Sequence, residues 1–160
     1  SLWTVYTSDA ITLLIALLST KEVPMKVEPY LFFNGRCDEA IAFYQEALGA
    51  EVTFLMRMND APDPPPPGAI PAGFEHKVMH ANLRIGELAL MVSDGNSDMQ
   101  PSFKGFCLSL SVANPDEAAQ RFAALQPGGK VTMPLGPTFW SPAFGMLEDR
   151  FGVGWMVIAP

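Results

Sequence analysis

The feature that most constrains this sequence is a set of motifs that occurs twice in the same order. The triplet Asp-Glu-Ala at residues 38–40 returns at residues 116–118, each time at the start of a stretch with helical periodicity. The string RIGELALMV at residues 84–92 likewise matches RFGVGWMVI at residues 150–158, with arginine and glycine in the same places. Ordered matches of this kind indicate a duplicated structural unit, so we expect two copies of one fold unit in the chain.

Each copy is predicted to consist of a strand, a helix and three further strands. Helical periodicity begins at Asp38 and at Asp116, and alternating apolar residues predict a hairpin later in each copy. The predicted strands cover residues 26–33, 52–58, 78–85, 87–93, 106–112, 131–133, 145–149 and 153–158, and the predicted helices run to Gly49 and Leu125. We therefore expect one α+β domain over residues 26–160, in which two βαβββ modules, residues 26–94 and 104–160, form a cupped mixed sheet with the helices on its outer face.

Two segments lie outside this pattern. Residues 1–24 are expected to be an N-terminal extension, not necessarily native, with a short amphipathic helix capped near Ser8 or Asp9. Its apolar stretch is too short to span a bilayer and lacks the preceding basic residues of a secretory signal. Residues 59–73 are rich in proline, which removes backbone donors and fixes φ, so we expect a stiff surface loop that is a candidate lid.

Composition limits the partners that the chain can have. The formal net charge is −7 and no cluster of Lys and Arg interrupts it, so neither nucleic acid nor a membrane surface is an expected partner. The two cysteines, Cys37 and Cys107, predict neither a disulfide framework nor a zinc motif, which favours a reduced, cytoplasmic location. Because 49% of the 160 residues are hydrophobic, we expect a homodimer to cover part of the apolar surface.

Three long strings carry a resemblance to a known family: PYLFFNGRCDEAIAFYQEALG, KVMHANLRIGELALMVSD and VTMPLGPTFWSPAFGMLEDRFGVGWMV. Together with the two modules, they resemble the vicinal oxygen chelate superfamily of glyoxalase I, extradiol dioxygenases and bleomycin-resistance proteins, and its PhnB-like branch in particular. That branch is sometimes labelled a demethylubiquinone methyltransferase. The sequence has no glycine-rich loop after a strand that would hold a nucleotide-type cofactor, so these residues do not support that label for this chain.

The resemblance also bears on metal binding. Metal-dependent members of the superfamily take ligands from the first and last strands of each module, at positions that map here to Pro29, Leu90, Cys107 and Met156. Catalytic Mn, Ni, Zn or Fe sites of that kind need imidazole and carboxylate ligands, which these residues do not supply. The resemblance therefore implies a cup that has kept its shape without a metal or another cofactor.

The polar residues of the expected cup come from a few strands. The two histidines, His76 and His80, lie where a loop enters a strand, so they are not a helical pair that faces one ion. Strand alternation turns His80 toward the cup, where an imidazole can act as a general base, with a structural histidine as the alternative. Trp140 is expected to stack on a flat ligand, or else to plug the cup or contact a second copy. The expected ligand-binding set is Leu31, His80, Asn82, Cys107, Ser109, Trp140, Phe144 and Met156.

Two classes of function follow from these residues. The first is a binding protein that holds a small, partly aromatic molecule in a metal-free cup, because the expected lining is mostly apolar with a few polar groups. The alternative is a metal-dependent lyase, isomerase or dioxygenase, in which His80 and a recruited metal or water complete the site. Arg84 is expected to lie outside the site, in a salt bridge with Glu87 or another carboxylate.

Overall fold

The computed structural model describes residues 23–63, 65–95 and 100–160. The helix expected in the N-terminal extension lies outside the described residues. The elements follow the chain as β1 (Tyr30–Phe32), α1 (Cys37–Leu48), β2 (Glu51–Arg57), β3 (Val78–Ile85), β4 (Leu88–Ser93), β5 (Leu108–Ser111), α2 (Pro115–Leu125), β6 (Lys130–Gly136), β7 (Ala143–Glu148) and β8 (Gly154–Ala159). A 3-10 turn, Met58–Asp60, follows β2. Among all the residues that the structure describes, no helix is long and apolar enough to cross a bilayer.

The strands form two four-stranded sheets with the same topology, β1-β4-β3-β2 and β5-β8-β7-β6. In each sheet the first and last strands of a module pair in parallel, as β1 with β4 and β5 with β8, and the other pairs are antiparallel. The α+β class with two βαβββ modules is thereby confirmed. Each sheet packs one face into the apolar core with the helices and leaves its other face more exposed.

Both helices begin and end close to the predicted residues, and local chemistry explains why. The α1 helix stops at Gly49, whose φ of 66° is the left-handed conformation that favours glycine, and whose N–H donates to the Gln45 carbonyl. At the start of α2, the Asn114 side chain accepts a hydrogen bond from the Glu117 N–H. Pro115 follows at the first helical position, where its missing N–H costs no hydrogen bond.

A buried carboxyl group joins the two modules. Asp149 is only 3% exposed and lies in the turn between β7 and β8. One of its oxygens accepts hydrogen bonds from the backbone N–H groups of Phe151 and Val153, at 2.9 and 3.1 Å. The other accepts the Trp155 indole N–H at 2.9 Å and the Tyr44 hydroxyl, from helix α1 of the first module, at 2.6 Å. The contact between modules is thus anchored by a fully hydrogen-bonded buried group.

Aromatic packing surrounds this anchor. The Phe151 ring, from the second module, makes edge contacts with Phe33, Phe43 and Tyr44 of the first, with ring centroids 5.4, 5.8 and 6.1 Å apart. The Arg36 guanidinium lies 4.6 Å from the centre of the same ring. Such edge-to-face and cation–π contacts favour one relative placement of the modules over other apolar packings.

A second buried carboxyl group organises the first module. Asp94, directly after β4, accepts hydrogen bonds from the backbone N–H groups of Gly35, Cys37 and Val78 at 2.7, 2.8 and 2.9 Å. These donors belong to the loop before α1, the first turn of α1 and the start of β3. Asp94 therefore holds three elements at one end of the first sheet.

The Tyr44 hydroxyl should contribute to stability because it satisfies a buried acceptor. We expect Tyr44→Phe to lower the free energy of unfolding by about 1–3 kcal/mol, as for other buried groups that lose one partner. Tyr30→Phe is the matched control, since its hydroxyl lies at an exposed position where water can replace the lost bond, and it should change stability by about 0.5 kcal/mol or less. Equal losses in urea denaturation of the two variants would contradict this role for Asp149.

The Cys37 thiol should make stability fall at alkaline pH. Burial, followed by the nearby Asp94 carboxylate, raises the pKa of Cys37 far above its ordinary value of 9.0. In the unfolded chain the thiol ionises near that ordinary value, whereas the folded chain keeps the proton. The contribution is therefore complete below about pH 9 and is lost as the pH rises further, by up to about 1.4 kcal/mol per pH unit.

Denaturation of Cys37→Ala at several pH values should show a smaller alkaline loss than the wild type. Burial also raises the pKa of Tyr44, so both proteins lose further stability at still higher pH. Cys107→Ala is the control, because it removes a thiol that is less deeply buried and leaves Cys37 in place. An alkaline slope that is the same in Cys37→Ala and in the wild type would show that this thiol does not cause it.

Candidate functional site

The open face of the first sheet carries two aromatic side chains that the expected ligand-binding set did not include. On β1, Tyr30 and Phe32 are 37% and 50% exposed, while Leu31 is 2% exposed and packs in the core. The prediction that Leu31 lies on the open face is therefore wrong. Its side chain still borders the cavity described below, but Tyr30 and Phe32 provide the accessible surface.

The error comes from a connection that differs by one residue between the modules. Four residues, 33–36, join β1 to α1, whereas three residues, 112–114, join β5 to α2. Aligning the two copies on their Asp-Glu-Ala triplets therefore shifts the first strands by one position. A shift of one residue turns every side chain of a strand to its opposite face.

A separate one-residue offset affects the positions that the resemblance associates with metal ligands. The matched hairpin strings place Leu90 over Met156, whereas the strand pairing makes Met91 the equivalent of Met156. Leu90 is fully buried on the core side, and its neighbour Met91 pairs with Tyr30. The equivalent pair in the second module is Ser109 with Met156. Hydroxyl and thioether groups are poor ligands for the divalent metals of this kind of site. The described residues also contain no cluster of three or more His, Cys, Asp or Glu side chains that could hold an ion, so they do not fit such a metal.

A chain of three hydrogen-bonded side chains crosses the open face of the first sheet. The Tyr30 hydroxyl lies 2.7 Å from His80 Nδ1, and His80 Nε2 lies 2.8 Å from Asn82 Oδ1. Because a carbonyl oxygen faces Nε2, that nitrogen carries the proton, and Nδ1 accepts the hydrogen of Tyr30. Both ring nitrogens of His80 are thus engaged, which fixes the orientation of the imidazole. The two predicted residues His80 and Asn82 are brought together here, and Tyr30 was missed.

Aromatic rings flank the Tyr30–His80–Asn82 hydrogen-bond chain. Phe32 stacks on Tyr30 with centroids 4.9 Å apart, and the half-exposed Phe54 ring lies 6.1 Å from His80. Gly95 makes room for Phe32, because a Cβ there would come within 2.8 Å of the ring, and its φ of 60° also favours glycine. Partial burial raises the pKa of Tyr30, so its hydroxyl stays protonated around neutral pH.

A cavity of about 370 Å³ adjoins Tyr30 and Phe32. This volume lies in the range of small-molecule sites. The Asn34 Oδ1 atom is buried and has no hydrogen-bond partner among the described residues. The lining is largely apolar and includes Tyr30, Leu31, Phe32, Asn34, Gln100, Phe103 and Phe106. A largely apolar space with an acceptor at its wall can take a ligand that offers both a ring and a polar hydrogen.

The remaining predicted residues lie on the second sheet or in the segments next to it. Ser109 pairs with the half-buried Met156 on the open face of that sheet. Trp140 is 52% exposed, and its ring lies 5.5 Å from Phe144 in an edge contact. Cys107 is partly buried and borders a separate, more open space of about 360 Å³.

The structure therefore divides the predicted set into two groups. Within the described part of the chain, no hydrogen bond or ring contact joins the His80 group on the first sheet to the Trp140 group on the second. His76 contacts Asn59 at 3.3 Å and shares no site with His80. Arg84 forms its expected salt bridge, with Glu51 as the partner.

Comparison with known proteins gives a consistent picture. Residues 26–157 match the family model of the Glyoxalase/Bleomycin resistance protein/Dioxygenase superfamily. Protein YjdN of Escherichia coli is 36% identical over 138 residues, which cover 83% of this chain and 94% of that protein. The crystal structure of protein PA1353 from Pseudomonas aeruginosa has 43% identity and a TM-score of 0.74, covering 85% of this chain and 98% of the other. The PhnB protein from Bacillus cereus has 26% identity and a TM-score of 0.68, covering 85% and 100%.

Proposed function

This chain belongs to the Glyoxalase/Bleomycin resistance protein/Dioxygenase superfamily, and we propose that it binds a small, partly aromatic molecule without a metal on the open face of its first sheet. The observation that carries the proposal is the Tyr30–His80–Asn82 hydrogen-bond chain, which lies beside the exposed Phe32 ring and the 370 Å³ cavity. Flat apolar surface and directed polar atoms occur together there, as in most small-molecule sites.

Each part of this surface supports a different aspect of binding. The exposed Phe32 and Phe54 rings offer faces and edges on which a flat ring can stack. The Tyr30 and Asn82 side chains are oriented by His80, so little conformational entropy is lost when a ligand engages them. His80 and Asn82 lie on β3, which is hydrogen-bonded to a strand on each side, whereas Tyr30 and Phe32 lie on the edge strand β1. The pairing on both sides of β3 holds the backbone of the histidine in place.

We further propose that the chain acts as a homodimer in the cytoplasm. The open faces of the two sheets leave large apolar side chains exposed, and loop residues 137–142 add the Phe139 and Trp140 rings. Contiguous apolar surface of this kind usually marks an interaction site. A second copy is the proposed partner, because the dimer would cover the exposed Met133, Phe139 and Trp140 side chains of the second module and leave the open face of the first sheet to the ligand.

A ligand screen with metal analysis tests the proposed function. Thermal shift measurements with small aromatic compounds should find ligands that stabilise the protein after treatment with a chelator, with no loss of the ligand over time. A stoichiometric transition metal in the purified protein, together with turnover that depends on it, would instead support the alternative of a lyase, isomerase or dioxygenase.

Replacing Phe32 tests where the ligand lies. Phe32→Ala removes the exposed ring beside Tyr30 and should weaken binding by about tenfold, or about 1.4 kcal/mol, measured by isothermal titration calorimetry. Leu88→Ala is the control, because it removes partly exposed apolar surface from the same sheet at a position that shares the face of the core residue Leu90 and so points away from the open face. Equal weakening in the two variants would place the ligand elsewhere.

Replacing Trp140 tests the dimer. Trp140→Glu places a charge on the exposed aromatic loop, so the dissociation constant of the dimer should rise by at least about tenfold in analytical ultracentrifugation. Gln120→Glu adds the same charge on the exposed side of α2 and should leave the dimer unchanged. A wild-type protein that stays monomeric at high concentration would overturn the proposed dimer and leave the binding proposal to its own test.

A further inference from the structure

Resting on the proposed function, we infer that the Tyr30–His80–Asn82 chain accepts a proton from its ligand, so that the site binds weakly acidic phenols as phenolates. The chain is continuous, its first member is exposed, and its base is oriented on both sides. The inference narrows the ligand from any aromatic molecule to one with an acidic hydroxyl on the ring.

The Tyr30 hydroxyl is the point of contact with the ligand. Its hydrogen is directed to His80 Nδ1, so its oxygen lone pairs remain for a donor that approaches on the open face. A ligand hydroxyl is such a donor. The neighbouring Phe32 ring, stacked on Tyr30, provides apolar surface for the ring that carries this hydroxyl.

Proton transfer through this chain is balanced. The ligand O–H bond breaks as its proton moves to the Tyr30 oxygen, and the Tyr30 O–H bond breaks as its proton moves to His80 Nδ1. Tyr30 is unchanged at the end, the ligand is a phenolate, and His80 is an imidazolium. The phenolate then accepts a hydrogen bond from Tyr30. On the other side of the ring, Asn82 Oδ1 accepts from Nε2–H, a bond that strengthens when the ring becomes cationic.

No charged side chain among the described residues of the neighbouring strands faces His80. The residues that face it from β2 are Met56, its cross-strand partner, and Phe54, both uncharged. On β1 the facing titratable group is Tyr30 itself, and β4 carries no charged residue. Farther along this face, Arg84 and Glu51 pair with each other. The phenolate and the imidazolium therefore stabilise each other as a pair, with no third charge to favour one partner alone.

The acidity of the ligand decides whether transfer occurs. A phenol with electron-withdrawing substituents releases its proton more readily than an unsubstituted phenol, so it is the better donor to this chain. An aliphatic alcohol is a far weaker acid, so it keeps its hydroxyl proton at this site. The chain therefore selects phenols with electron-withdrawing substituents over neutral alcohols of the same size.

The probe for the experiment is 4-nitrophenol, because its phenolate absorbs visible light and its neutral form does not. The full chain is titrated into the probe at a slightly acidic pH, where the free probe is mostly protonated. We expect phenolate absorption to rise and saturate in proportion to the bound probe measured by equilibrium dialysis. 4-Nitroanisole has the same ring without the acidic hydrogen, and it reports binding that depends on stacking alone.

Two variants separate proton transfer from binding. Tyr30→Phe keeps the ring and removes the relay oxygen, so the phenolate absorption per bound probe should fall by at least about tenfold, equivalent to one pKa unit. Nitroanisole binding measured in the same variant reports any loss of stacking, so the phenolate signal is always compared per bound probe. His80→Gln keeps hydrogen-bonding groups at that position but cannot take up the proton, so it should lose the phenolate signal in the same way.

The outcomes distinguish this inference from the function on which it rests. Nitrophenol that binds in its neutral form, or that gives the same phenolate signal in wild type and Tyr30→Phe, overturns the proton relay and leaves small-molecule binding intact. Absence of nitrophenol binding, while the screen identifies other aromatic ligands, overturns the inference as well. If no aromatic compound binds at all, the proposed function falls with it.

Discussion

The packing of the two modules depends on the buried Asp149 side chain, which accepts hydrogen bonds from four donors. Placing a carboxyl group in an apolar interior is costly unless every lone pair is used, and here Tyr44 from the first module supplies one of the hydrogen bonds that make the burial acceptable. The bond ties helix α1 to the β7–β8 turn, and Phe151 packs around it. Because the modules meet through this side of the molecule, the opposite face of each sheet is left open.

That arrangement explains why the accessible aromatic residues lie where they do. Inward-facing side chains such as Leu31 and Leu83 fill the core. The residues that alternate with them on the same strands face outward and are not needed to fill it. On the first sheet these positions hold Tyr30, Phe32 and His80, which pack with one another instead of with the core. The sheet therefore presents a polar chain flanked by aromatic rings to a molecule that approaches its open face.

Much of this fold could be predicted from the sequence because duplication and periodicity report local structure directly. The helices after Asp38 and Asp116 and the pairing of β3 with β4 follow from such patterns. The side chains of β1 could not be assigned correctly to the two faces of the sheet. One extra residue between β1 and α1 turns each β1 side chain to the opposite face, and a strand of three residues is too short for its sequence pattern to reveal this. The role of Asp149 was also missed, because an acidic residue in a hairpin turn looks like a solvated one until Tyr44 is placed beside it.

The two modules differ in the polarity of their open faces. Asn82 pairs with Met91 as Met146 pairs with Met156, so Asn82 and Met146 are equivalent positions. Two residues earlier on each strand, His80 corresponds to Phe144, and the Tyr30 position corresponds to Ser109. The same backbone thus carries a hydrogen-bond chain in the first module and a mainly apolar surface in the second.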